Sequence, residues 1–328
     1  MHLKTLILCT IALLCGTFTF GQNQQQYAAY VEEAWALYQS EDYQASAEKY
    51  SMAFDQLGGK AFPDDRYNAA CSYALAGVPD SAFYHLFYLA EHPRVKYKDL
   101  DHITTDSDLE SLYPDERWGA LISIVATNKE EYEKDLDKTL VAILDTVYQT
   151  DQGYRRQIRE VEEEYGRDSE EMQAHWKLIS ETDSINLIKV RAILDERGWL
   201  GPEVVGDQGN STLFLVIQHA DHETQLKYLP MMREAVQAGN ARASSLALLE
   251  DRVALGQGKQ QIYGSQIGRD RESGEYYVLP LAEPEKVNER RAEVGLGPIE
   301  DYVSNWGMSW DVEEHKRKMK ELEAREKD

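Results

Sequence analysis

Between residues 27 and 90 the alternation of small and large side chains returns after 36 positions: Ala34 and Ala70, Leu37 and Tyr73, Tyr50 and Leu86, and Ala53 and Leu89 share this offset. An internal period of this length marks stacked supersecondary units, here pairs of antiparallel helices. Ala34, Ala70 and Ala82 stand where helices cross closely, and larger residues fill the space between. The turns Glu41-Asp42-Tyr43 and Gly77-Val78-Pro79-Asp80 separate the helices. Two such units leave open faces that need a neighbour. Residues 97–127 offer one, with Leu100, Ile103, Leu109 and Leu112 on short amphipathic pieces. They lead into a helix that Pro114 opens and that carries Trp118, Leu121, Ile122 and Val125.

These units resemble tetratricopeptide repeats, with two departures. Ser46 stands where that family usually has Ala, and the run from Gly58 to Pro63 lengthens the link between units. The resemblance implies a concave helical surface for a protein or peptide partner. Tyr27, Tyr30, Tyr38, Tyr43, Tyr50, Tyr67, Tyr73, Tyr84 and Tyr88 are candidates to line it, although aromatics at helical spacing more often pack helices together.

Lys4 followed by the apolar run Leu6 to Phe20 is too short for a membrane span and right for a secretory signal, with Gly21 as a cleavage point. Residues 1–21 are therefore expected to direct export to the periplasm or the exterior, leaving no integral membrane segment. Lipid anchoring at Cys15 is disfavoured by the bulky Leu14 before it. Removal of the segment takes Cys9 and Cys15 away, so only Cys71 remains and no internal disulfide can form. Cys71, on a helix of small residues, is expected to be a buried filler. The net charge of −23 argues against nucleic acid as a partner, because phosphate backbones are held by clustered Lys and Arg.

From Lys129 the pattern becomes long charged helices. Leu136, Leu140, Ile143, Leu144 and Val147 form one apolar stripe, and Met172, Ile179 and Ile193 belong to another. The sequence Gly198-Trp199-Leu200-Gly201-Pro202 interrupts the helices. Asp207 or Asn210 is then placed to cap a helix whose residues Leu213 to Ile217 are apolar nearly all round, and so central. Asp221 is placed to cap the helix His222 to Ala238, and Ala243 to about Glu250 forms another. Arg252 to Leu255 and Gln260 to Gln266, around Gly256-Gln257-Gly258, read as a β-hairpin. Tyr276 to Leu279 adds a third strand after the turn Asp270 to Gly274. The expected fold is mainly α: a helical repeat segment over 27–127, then over 129–305 an α+β domain with a small antiparallel sheet. Residues 306–328 are a charged tail, a solvated helix or disordered from Val312 on, and His175 and His315 are expected to be solvated.

A dispersed set of residues carries a second resemblance: Asp151-Gln152 with Arg155, Asp183 with Asn186, Gly198-Trp199, Gln218-His219-Ala220-Asp221, Gln225, Asp251-Arg252, Gly258-Lys259-Gln260, Tyr263-Gly264-Ser265-Gln266, Arg290-Arg291, and Gly295-Leu296 with Tyr302. Over about 140–305 they resemble the family called domain of unknown function 6624. That implies a domain identity and no activity.

The chemistry on offer comes from the residues themselves. Gln218 and His219 end an apolar helix, so they need hydrogen-bond partners. Asp151, Asp183, Asp221, Asp251, Arg155, Arg252, Arg290 and Arg291 can supply them. One reading is a sealed polar network that fixes helices to hairpin. The other is a site in which His219 is a general acid or base oriented by a carboxylate such as Asp251, near Tyr263 and Gln266, with Arg290 or Arg291 holding an anion. Gln152 and Asn186 join the candidate ligand-binding set. No motif for a cofactor is present. His219 and His222 have a metal-compatible spacing, but Asp221 opens a new helix between them and a third ligand is unspecified, so no metal is expected. The function expected from these features is an exported envelope binding or scaffolding protein, its repeats engaging a protein or peptide and its second domain a small polar or anionic ligand. The alternative is a hydrolase acting on an envelope substrate through His219.

Overall fold

Small residues let the upstream helices approach closely: Ala34, Ala53, Ala69, Ala70 and Ala82 have no exposed surface at all. The computed structural model describes residues 23–270 and 273–325, and the chain divides between Lys134 and Asp135 into two compact units. The expected signal segment, 1–21, lies outside the described residues.

The upstream unit begins with α1 (23–39) and α2 (Tyr43–Gln56), followed by a second pair, α3 (Pro63–Leu75) and α4 (Pro79–Glu91). Asp42 caps α2 by accepting the Ala45 N–H, and Pro63 and Pro79 open the next two helices, where a missing N–H costs nothing. Equivalent members of the repeat occupy equivalent places: Tyr50 and Leu86, and Ala53 and Leu89, are all buried. α5 (Leu100–Thr105), a 3₁₀ turn (Ser107–Leu112) and α6 (Glu116–Glu133) follow, and Ile103, Leu109, Leu112, Leu121 and Val125 complete the core around α3 and α4. α6 starts two residues after Pro114, with Asp115 as its cap. The tyrosines mostly pack. Tyr27 donates to Asp65 and Tyr38 to Asp108, both at 2.5 Å, Tyr50 and Tyr67 are buried, and only Tyr84 is largely exposed. Burial, together with Asp106 and Asp108, pushes the Cys71 thiol far above its ordinary range, which leaves it an unreactive filler.

The downstream unit is built on a long helical hairpin, α7 (Lys138–Tyr165) and α8 (Glu170–Arg197), against which α9 (Pro202–His219) packs. α10 (His222–Ala238) and α11 (Ala243–Gly256) cover the other side of α9. Leu144, Val147, Val190, Leu213, Ile217, Tyr228, Met232 and Leu249 form one core, so α9 is central as its composition requires. A two-stranded antiparallel sheet follows, β1 (Ile267–Arg269) with β2 (Tyr276–Val278), Ile267 facing Val278. A 3₁₀ turn (Pro284–Lys286), α12 (Val287–Glu293), α13 (Ile299–Ser304) and α14 (Val312–Arg325) complete the unit. Val278, Leu281, Val287, Ile299 and Val303 make a smaller core beneath the sheet. The protein is mainly α with one small hairpin. Among the described residues no helix is long and apolar enough to cross a membrane.

Five local expectations are corrected. Arg252 to Leu255 is the last turn of α11, because Ala247, Leu249 and Val253 place that stretch on a buried helical face. Gln260 to Gln266 is consequently a loop, with only a single bridge from Gln261 to Leu281, and the hairpin is the one that β1 and β2 form. Neither Asp207 nor Asn210 caps α9: Gly201 is its cap, the straight segment resumes at Asp207 directly after the break at Gly206, and Asn210 donates to the carbonyls of Leu200 and Asn240. The end of the chain is not simply solvated, since His315 is buried beside Trp310 and Lys318 reaches Asp270. His175 is half-buried and bonded to the Tyr154 carbonyl.

Candidate functional site

The apolar stripe of α7 runs through Leu144 and Val147, and the next position on that face is Asp151, a carboxylate with only 1% of its surface exposed. A buried charge needs partners, and Asp151 has them. His219 Nδ1 at the end of α9 lies 3.1 Å from Oδ1, Gln152 Nε2 lies 2.7 Å from Oδ2, and Arg155 is 3.4 Å away. Burial alone would raise the Asp151 carboxyl, but His219, Arg155 and Gln152 outweigh it and hold the group below the ordinary aspartate range. An ionised Asp151 can only accept, so the imidazole proton sits on Nδ1. Nε2 is left as an acceptor with no protein partner among the described residues. Arg155 in turn forks onto Asp183 at 2.9 and 2.7 Å, and Thr150 donates to Asn186. Asp151, Gln152 and Arg155 of α7, Asp183 of α8 and His219 of α9 thus form one cluster, whereas Asn186 is bonded, among the described residues, only to Thr150.

His219 lies between two cavities. One, of about 240 Å³, is bounded by Asp151, Asp183, Leu187 and Asp221. The other, of about 340 Å³, is bounded by Gln218, Arg252, Ser265, Gln266, Tyr302 and Trp306. Arg252 is the unusual member. Its Nε donates to Gln266 Oε1 at 3.1 Å, yet among the described residues no carboxylate or carbonyl takes its two Nη groups. Burial and the proximity of Arg155 lower its pKa, the mark of a guanidinium short of compensating charge. Tyr302 donates to the Ser265 carbonyl at 2.7 Å and fixes the cavity wall, and Gln218 leaves its Oε1 without a partner.

Other sequence candidates have structural duties. Asp251, with no exposure, accepts backbone N–H bonds from Ile262, Tyr263 and Ser265, so it shapes the 260–266 loop and does not orient His219. That role belongs to Asp151. Arg290 donates to the carbonyls of Ile262 and Ala282, and Arg291 to those of Gly297 and Tyr263. Their donors serve backbone oxygens, Arg290 also lies 3.9 Å from the Glu283 carboxylate, and the cavity guanidinium without a carboxylate partner among the described residues is Arg252. Asp221 caps α10 by accepting the Thr224 N–H, as expected, and Gln225 fixes the same corner through the carbonyls of Gln218 and Ala220. Ser265 and Trp306 were not anticipated in the cavity wall, because their loops have no periodicity that predicts where they fold.

A metal fits this cluster poorly. Asp151, Asp183 and His219 bring ligand atoms within 4.8 Å of one another, but the Arg155 guanidinium already binds both Asp183 oxygens where a cation would sit. His222 does not join them. It follows the Asp221 cap and packs on the bare backbone of Gly256, where a Cβ would come within 2.3 Å of its Nδ1.

A family model described as "Family of unknown function (DUF6624)" matches residues 134–312, which contain every residue of the cluster and of both cavities. The chain belongs to this family. No curated protein and no solved structure matches the chain. In this DUF6624 member the family segment coincides with the downstream unit up to the start of α14.

Proposed function

We propose that the DUF6624 unit binds a small molecule bearing a carboxylate or phosphate group in the cavity between α9, α11 and β1, and that His219 performs acid–base chemistry on it. The observation that carries this reading is the guanidinium of Arg252, which has no anionic partner among the described residues and faces the same cavity as an imidazole oriented by a buried carboxylate. An uncompensated, partly buried cation is costly, and an incoming anion relieves that cost through charge-assisted hydrogen bonds. The Asp151–His219 pair favours hydrolysis over binding alone. His219 Nε2 takes a proton from water as its oxygen attacks the acyl carbon or phosphorus of an ester held by Arg252. The ester bond then breaks, and the departing alkoxide receives the proton back from His219.

We take the upstream helical pairs as tetratricopeptide-like repeats that engage a protein or peptide, supported by the equivalent burial of positions 36 apart, and the chain as exported to the periplasm or exterior. The test of the site uses the full chain. Calorimetric titration with inorganic phosphate and with acetate is expected to show binding that Arg252→Gln weakens by about 10- to 100-fold, the worth of a charged hydrogen-bond pair. His219→Gln is expected to keep binding within a few-fold while abolishing turnover of p-nitrophenyl phosphate. Unchanged anion affinity in Arg252→Gln refutes the reading.

A further inference from the structure

Beside β2 lies another cavity, of about 460 Å³, that the proposed chemistry does not use. Its walls are aromatic: Tyr276 and Tyr277 from β2, and Trp306 and Trp310 from the link between α13 and α14. Its charged groups are three carboxylates, Glu275, Asp311 and Glu314, against one ammonium, Lys318. Lys318 is itself drawn in, with its Nζ 6.0 Å from the centre of the Tyr277 ring, 3.4 Å from Asp270 and 3.9 Å from Glu275. The rings and carboxylates therefore already hold one organic cation at their edge.

His315 gives the second, independent observation. It is 7% exposed, lines this cavity and packs 5.3 Å from the Trp310 ring, and among the described residues neither ring nitrogen has a hydrogen-bond partner. Burial lowers its pKa, so the imidazole is neutral at pH 7 and offers one acceptor nitrogen without repelling a positive charge. With no protein partner among the described residues, a ring nitrogen of His315 is left for a donor that enters the cavity.

We propose that this cavity binds an organic ammonium, its charge held by the rings and the carboxylate rim, with one N–H donated to His315. Aromatic faces attract desolvated cations, and an excess of carboxylates at the rim favours a positive over a neutral guest. The site is separate from the anion cavity, although Tyr276 and Trp306 form walls of both. The proposal therefore does not depend on the role of Arg252, and its test avoids those two residues.

The experiment titrates the full chain with butylammonium and, in parallel, with butan-1-ol and glucose, read by tryptophan fluorescence and saturation-transfer NMR. Butylammonium is expected to bind, more weakly at higher salt, and butan-1-ol and glucose to bind at least tenfold more weakly. Glu275 and Glu314 are exposed, so Glu275→Gln and Glu314→Gln leave the fold intact. Each is expected to weaken butylammonium binding by about two- to threefold, the scale of a single screened charge. His315→Leu, which keeps an apolar core, is expected to weaken it by about tenfold, with circular dichroism verifying the fold. Equal affinity for butan-1-ol, binding of glucose in place of the ammonium, or an unchanged affinity in the double glutamine variant overturns the proposal.

Discussion

At the scale of single residues, what decides a role is the partner, and two aspartates make the contrast. Asp251 faces only backbone: the N–H groups of Ile262, Tyr263 and Ser265 lie 2.6 to 3.0 Å from its oxygens. Asp251→Ala leaves three donors without an acceptor beneath the loop that carries Ser265 and Gln266. At about 1–3 kcal/mol for each buried unsatisfied group, partly relieved by relaxation, the expected loss is about 3–5 kcal/mol of stability, measured by urea unfolding. A loss under about 1 kcal/mol would mean that the loop finds other acceptors. Asp151, by contrast, faces His219, Gln152 and Arg155. The sequence places both aspartates in the polar set, and Asp151 interrupts an apolar stripe, which announces its burial. It cannot say which of the two reaches His219, because that depends on where α7 and α9 cross. Arg290 and Arg291 illustrate the same limit. Their charge is legible, but their attachment to backbone carbonyls follows from the path of the loops around Ile262 and Gly297.

At the scale of elements, the helices are legible where periodicity is long, as in α7 to α10, and misread where a helix ends among Gly and Gln. Arg252-Val253-Ala254-Leu255 has strand-like composition in isolation, yet Ala247, Leu249 and Val253 commit it to α11. That difference moves Arg252 from a sheet edge to the helical wall of the anion cavity. α9 contains the other departure from regularity. Gly206 breaks it with φ 75° and ψ 167°, a conformation that essentially only glycine adopts without strain. The break divides the first turn after Pro202 from the straight segment that ends at Gln218 and His219. Gly206→Ala is expected to cost about 1–3 kcal/mol and to lower the melting temperature by several degrees. A shift within about one degree would show that the segment re-forms without the kink.

At the scale of the whole molecule, buried titratable groups give the helices around them different responses to acid, and His85 on α4 and Asp151 on α7 make the contrast. In the upstream unit Arg66, 2% exposed and without a carboxylate partner among the described residues, donates to the Gly59 carbonyl and to His85 Nδ1 at 3.2 Å. Burial, with Arg66 beside it, lowers the His85 pKa from 6.5 to about 4. The folded chain therefore binds fewer protons than the unfolded chain between those values, and stability falls as pH drops from about 6.5 towards 4. The full difference is on the order of 3 kcal/mol. Asp151 has the opposite chemistry and a lower window. Its folded pKa lies below the ordinary 3.8, so its contribution is complete above that value and disappears only as pH falls through the folded one. Hydrogen-exchange mass spectrometry of the full chain is thus expected to show protection of α3 and α4 declining between pH 6.5 and 4.5, after correction for intrinsic exchange, while α7 and α9 hold theirs. His85→Gln keeps an acceptor for Arg66 and removes the titration, so it is expected to flatten the upstream response. A response that survives this substitution, or one that appears equally in α7 and α9, would assign the acid sensitivity to other groups.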